Sequence, residues 1–125
     1  MLQLKLSASR PLYRPGEMIS GAIRWDFRKR RKNRLELVLL WFTEGVGNTD
    51  VGIVATQIFS EVSALGERNF ELRAPQAPES FRGKLIRLRW AIEIKSDHHE
   101  LDRAEFDLTS LPEPLNFENG LPTSS

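Results

Sequence analysis

From Ile86 to Ile94 every second residue is large and apolar: Ile86, Leu88, Trp90, Ile92 and Ile94, with Arg87, Arg89 and Glu93 among the residues between them. Side chains alternate faces along an extended chain, so this spacing makes one apolar and one polar face in a strand and scatters both around a helix. The same period recurs at Leu2, Leu4 and Leu6, at Ile19, Gly21, Ile23, Trp25 and Phe27, and at Ala104, Phe106 and Leu108. No stretch holds an apolar stripe at helical spacing over three turns. Leu35 to Phe42 is apolar at nearly every position, as for a central strand; Val51 to Val62, which alternates less cleanly because Ile53 and Phe59 partly oppose Val54, Ile58 and Val62, and Phe70 to Leu72 complete a set of seven strands. Strands without helices must bury their apolar faces against each other, which predicts an all-β, two-sheet antiparallel sandwich of immunoglobulin-like type.

Turn-forming residues fall between these segments, at Arg14-Pro15-Gly16-Glu17, Glu44 to Asn48, Ala64-Leu65-Gly66, Pro75 to Ser80 and Ser96 to His99. At 125 residues there is room for one domain, assigned to residues 1–110; residues 111–125, with three prolines and little alternation, read as an extended or disordered tail. The chain has no cysteine, which excludes a disulfide scaffold, a cysteine-ligated metal centre and a cysteine nucleophile. No apolar run approaches the roughly 20 residues of a membrane-spanning helix, and the first residues alternate instead of forming a signal-peptide block, so a cytoplasmic protein is expected.

Two segments have the turn chemistry of a known family. YRPGEMISGAIRW, through Tyr13, Pro15, Gly16, Glu17, Ile19 and Gly21, resembles the arrestin-like approach to a strand. FELRAPQAPESFRGKLIRLRWAIEIK is similar to a later arrestin-like pattern, through Phe70, Leu72, Pro75, Pro78, Ser80, Phe81, Gly83, Ile86 and Trp90. The resemblance, which extends to the arrestin-like domains of sporulation-control proteins and retromer subunits, implies one arrestin-type lobe and a general adaptor role. The residues also have a local reading: Pro15-Gly16 suits a type II turn, Gly21 a bulge or close backbone approach, and Tyr13 a ring packed under the corner with its hydroxyl on a backbone acceptor.

Charge is distributed unevenly. Residues 1–34 contain ten Lys and Arg against Glu17 and Asp26, while the rest of the chain holds eight basic and fifteen acidic residues. Six of the ten, Arg28, Lys29, Arg30, Arg31, Lys32 and Arg34, form one run between two apolar strands, which predicts an exposed hairpin loop. Such a run is a candidate contact for anionic membrane, phosphoprotein or nucleic-acid backbone; no aromatic interleaves it, so base stacking is not suggested.

In the third strand Leu35, Leu37, Leu39 and Trp41 suit the inner face, leaving Val38, Leu40 and Phe42 outside with no helix to cover them. The cover expected is either the tail, through Leu111, Leu115 and Phe117, or another chain, which makes these three residues candidate contacts for a protein partner or a second copy. Enzyme chemistry is not expected. His98 and His99 are the only histidines, adjacent side chains on a strand diverge, and no G-x-S-x-G elbow is present, so no catalytic residue, metal site, cofactor or small-molecule substrate is assigned.

Overall fold

The computed structural model describes residues 1–47 and 49–116. It is all-β, with strands β1 (Leu2–Leu6), β2 (Leu12–Tyr13), β3 (Met18–Asp26), β4 (Arg34–Gly45), β5 (Val51–Ser60), β6 (Leu65–Arg73), β7 (Phe81–Arg82), β8 (Ile86–Ser96), β9 (His99–Leu108) and β10 (Leu115–Asn116). The seven strands expected from alternation are all present, and the three additional ones are two-residue pairings too short to show a period.

Two sheets face each other. The first has the order β1-β3-β6, antiparallel throughout. The second has the order β10-β7-β8-β4-β5; β9 pairs with β8 beside β7, and β2 joins β9 in parallel. Between the sheets lie Ile19, Ile23, Trp25 and Phe27 from the β3 side, Leu35, Leu37 and Leu39 from β4, Leu88, Trp90, Ile92 and Ile94 from β8, and Phe106 and Leu108 from β9. The alternation thus selects the buried face in each long strand. Trp90 is fully buried, stacked on Phe106 at 6.4 Å between ring centres, and its indole N–H donates to the Pro78 carbonyl at 2.8 Å, which satisfies the one polar atom it carries inside.

The turn residues behave as their chemistry requires. Glu17 N–H donates to the Arg14 carbonyl at 3.0 Å, closing the corner at Pro15-Gly16. A Cβ at Gly21 would lie 2.6 Å from both the Lys5 carbonyl oxygen and the Phe70 ring, so the glycine marks a close approach and not a bulge. Tyr13 packs edge-on against Phe106 at 5.4 Å. Its hydroxyl is buried without the expected backbone acceptor among the described residues, and burial raises its pKa against the lowering effect of the nearby Ala8 backbone.

Three local expectations are corrected. The turn placed at Ala64-Leu65-Gly66 lies earlier: Leu65 and Gly66 already pair with Asp26 and Trp25 in β6, and Gly66 is small because a Cβ there would meet the Trp25 ring at 2.7 Å. The basic run is not a hairpin loop, because β3 and β4 belong to different sheets; it is the crossover between them. The weak alternation of β5 comes from a bulge. Leu39 pairs with Ala55 and Leu40 with Ile53, which leaves Val54 extra and switches the outward positions from odd to even numbers.

Candidate functional site

Two regions carry the residues singled out by sequence. The first is the outer face of the second sheet. Val38, Leu40 and Phe42 point away from the main core, yet they are only 3%, 3% and 5% exposed and form a second apolar cluster with Ala91. Among the described residues the tail does not cover them. Leu115 pairs beside β7, separated from β4 by β8, and both Leu111 and Leu115 are exposed; Phe117 lies outside the described residues.

The cover comes from charged side chains of the same sheet. The Arg103 guanidinium on β9 stands 4.5 Å from the centre of the Phe42 ring on β4, so it reaches across β8, where Ala91 is small enough to pass beneath. Arg103 is held there by Glu93 and, at 3.0 Å, by Glu105. Arg89 bonds Glu105 and Asp107 at 3.0 Å each, and Lys95 lies 3.6 Å from Glu93. Burial, reinforced by the neighbouring Glu93, pushes the Glu100 carboxyl above its ordinary range. An apolar patch expected to need a tail or another chain is therefore closed by the aliphatic stems and paired heads of its neighbours.

That lattice stops at β4. On the far side of the same face, Val51 opposes Phe42, Ile53 opposes Leu40 and Ile58 opposes Glu36. These three are 57%, 63% and 52% exposed. β5 pairs only with β4, and VGIVATQIFS carries neither charge nor proline. The other long edge strands are marked by charge, β1 by Lys5 and β6 by Glu67, Arg68, Glu71 and Arg73. The exposed apolar stripe of this face thus stands on β5, one strand outward from the residues singled out by sequence; the available clue was an uncharged run broken by a bulge.

The second region is the basic crossover. Three of its six cations are engaged by the protein itself: Arg28 bonds Asp26 through two nitrogens at 3.0 and 2.7 Å, Arg31 donates to the Val62 carbonyl at 3.2 Å, and Arg34 lies 3.2 Å from Glu36. The Arg28 guanidinium and backbone N–H hold the Asp26 carboxyl down at a pKa of about 2. Lys29, Arg30 and Lys32 make no hydrogen bond or ion pair among the described residues. All three line a cavity of about 820 Å³, at the end of the sandwich where β1, the end of β3 and the start of β9 meet. Leu2, Phe27 and Leu101 give it an apolar wall continuous with the core, and His99 adds ring nitrogens to the rim. Among the described residues, the one ion pair from the acidic later part of the chain to the crossover is the local Arg34–Glu36 contact.

The Asp97-His98 turn of the β8–β9 hairpin has positive φ at both residues, 52° and 67°. Neither histidine side chain makes a hydrogen bond among the described residues, and no group of three or more potential metal ligands occurs among them.

With this geometry in hand, comparison with known proteins concerns the fold. Neither a family model nor a curated protein sequence matches the chain. Spo0M, a sporulation control protein from Bacillus subtilis, has a solved structure that matches this one with a TM-score of 0.58 at 13% identity, over 89% of this chain and 49% of that one. The fold is arrestin-like. The arrestin-like chain described here spans about half the length of Spo0M. A β-glucosidase from Listeria innocua in complex with gluconolactone matches with a TM-score of 0.47 at 15% identity, over 86% of this chain and 16% of that one. The alkylpurine DNA glycosylase AlkC from Pseudomonas fluorescens, bound to DNA containing an abasic site analogue, matches with a TM-score of 0.37 at 15% identity, over 87% of this chain and 30% of that one. Likeness at the level of these last two carries no argument. No helix among the described residues is long and apolar enough to cross a membrane.

Proposed function

We propose that this arrestin-like chain is a non-enzymatic adaptor module that binds a protein partner through the outer face and free edge of its second sheet. The observation that carries the reading is β5, an edge strand of ten residues without charge or proline that presents Val51, Ile53 and Ile58 beside a face otherwise closed by ion pairs. Edge strands are normally blunted by charge, proline or a bulge, and here the bulge at Val54 is the one such device. Exposed apolar residues rimmed by charged groups are what a partner strand or apolar segment docks against. Val38, Leu40 and Phe42 serve as the floor under that contact, and the partner-facing residues stand one strand outward.

The test is capture from the native cell with the wild-type chain and with the Ile53→Lys/Ile58→Lys double variant. Both positions are more than half exposed, so the variant is expected to keep its β-sheet circular dichroism and lose the captured partner. Identical captured proteins for the two chains would reject the reading. Loss of a dimer in sedimentation, with no other protein lost, would identify a second copy as the partner.

A further inference from the structure

We propose that the cavity under the basic crossover binds a single-chain amphiphile with an anionic head. This goes beyond the adaptor reading and uses a different part of the molecule, the end of the sandwich where β1, the end of β3 and the start of β9 meet.

Three observations combine. The first is size: about 820 Å³ lies within the roughly 300–1,000 Å³ of ordinary small-molecule sites. The second is the division of the lining. Leu2 and Leu101 pack against the main core and Phe27 belongs to it, so one wall is hydrocarbon, while the opposing rim is cationic. The third is which cations remain uncompensated. Arg28, Arg31 and Arg34, tied to Asp26, Val62 and Glu36, have their charge or donors engaged. Lys29, Arg30 and Lys32 have no such partner among the described residues, and all three face the cavity. Like charges converging on one space repel each other until an anion enters, so the vacancy has a sign as well as a shape.

Each half of the lining excludes a simpler ligand. A free inorganic anion would satisfy the rim and leave the half-buried Leu2 and Leu101 against water. A neutral alkyl chain would cover the wall and leave three cations unmet. An anionic head with an alkyl chain answers both, its head oxygens accepting from Lys29, Arg30 and Lys32 and its chain lying along Leu2 and Leu101. Nucleic acid is the weaker fit, because a phosphate backbone would answer the cations and leave the wall of Leu2 and Leu101 uncovered.

The experiment is calorimetric titration of the full chain, below aggregation concentrations, with decyl phosphate, butyl phosphate, inorganic phosphate and neutral decyl maltoside. Decyl phosphate is expected to bind at least tenfold more tightly than either inorganic phosphate or decyl maltoside, with butyl phosphate between. The Lys29→Gln/Arg30→Gln/Lys32→Gln variant should lose at least tenfold in decyl phosphate affinity, while Arg24→Gln, an exposed cation on β3 away from the cavity, should lose less than twofold. Equal affinity for phosphate with and without the chain would overturn the proposal by showing an idle wall. Unchanged affinity in the triple variant would overturn it by showing idle cations. Binding only to vesicles of phosphatidylcholine and phosphatidylserine, with none to monomeric decyl phosphate, would assign the run to a membrane surface and reject a cavity ligand.

Discussion

The crossover at residues 28–34 and the outer face of β8 and β9 are both dense in charge, and they use it in opposite ways. On the sheet, Arg89, Arg103 and Lys95 each have a carboxylate within 3.6 Å, because antiparallel register sets Glu93 opposite Arg103 and Ala91 opposite Glu105. In the crossover, half of the cations have no acceptor among the described residues, because consecutive residues of an irregular segment have no register to bring acids beside them. Charge density in sequence thus says little about electrostatic role. The partner strand decides whether a cation is structural cover or an available ligand group.

Four measurements sharpen or break this contrast, beginning with the framework that keeps the lattice in register. Trp90→Ala removes the fully buried ring between the sheets on β8 and should destabilise by about 3–5 kcal/mol in denaturant unfolding. A loss under about 1 kcal/mol would mean that β8 is not anchored as described. Next, Arg103→Ala strips the cover from Phe42 and leaves the nearly buried Glu93 with Lys95 alone. A loss of about 2 kcal/mol is expected, below the 3–5 kcal/mol of a fully buried pair because Arg103 remains partly exposed. A double-mutant cycle with Glu93→Gln should show coupling between the two positions.

Neutralising Lys29, Arg30 and Lys32 together should change stability by no more than about 0.5 kcal/mol, since none forms a pair to be broken. If thermal unfolding shows a loss comparable to that of Arg103→Ala, the two charge groups are alike and the contrast fails. The smallest effect concerns Asp26, whose carboxyl is held at a pKa of about 2 by Arg28. The folded value lies below the ordinary aspartate range near 4, so the stabilisation is fully present above that range and is lost as pH falls toward about 2. Carbon-detected NMR titration should return Asp26 toward its ordinary value in Arg28→Gln; an unmoved titration would remove the guanidinium as the cause.

Much of the fold was legible because strand burial is written locally. Leu35, Leu37 and Leu39, or Leu88, Trp90, Ile92 and Ile94, face the core by the same period of two that appears in the sequence. Reading failed where geometry departs from that period. The Val54 bulge inverted the faces of β5, so its exposed stripe was hidden in an apparent muddle of apolar residues. The Tyr13 hydroxyl ended without the acceptor expected of it, because what lies above a buried ring depends on segments distant in sequence.

The sequence by itself determined the all-β class, the long strands, the faces of β3, β4 and β8, and the position of the basic run between strands, since each depends on neighbours within a few residues. Only the tertiary structure decided that β3 and β4 part into different sheets, turning an expected hairpin into a crossover over a cavity, and that Arg103 from β9 covers Phe42 on β4. The physical reason is common to both outcomes. Alternation specifies which way a side chain points, whereas strand order and register specify what it meets, and those are settled by pairings distant in sequence, such as Glu36 with Lys95 between β4 and β8.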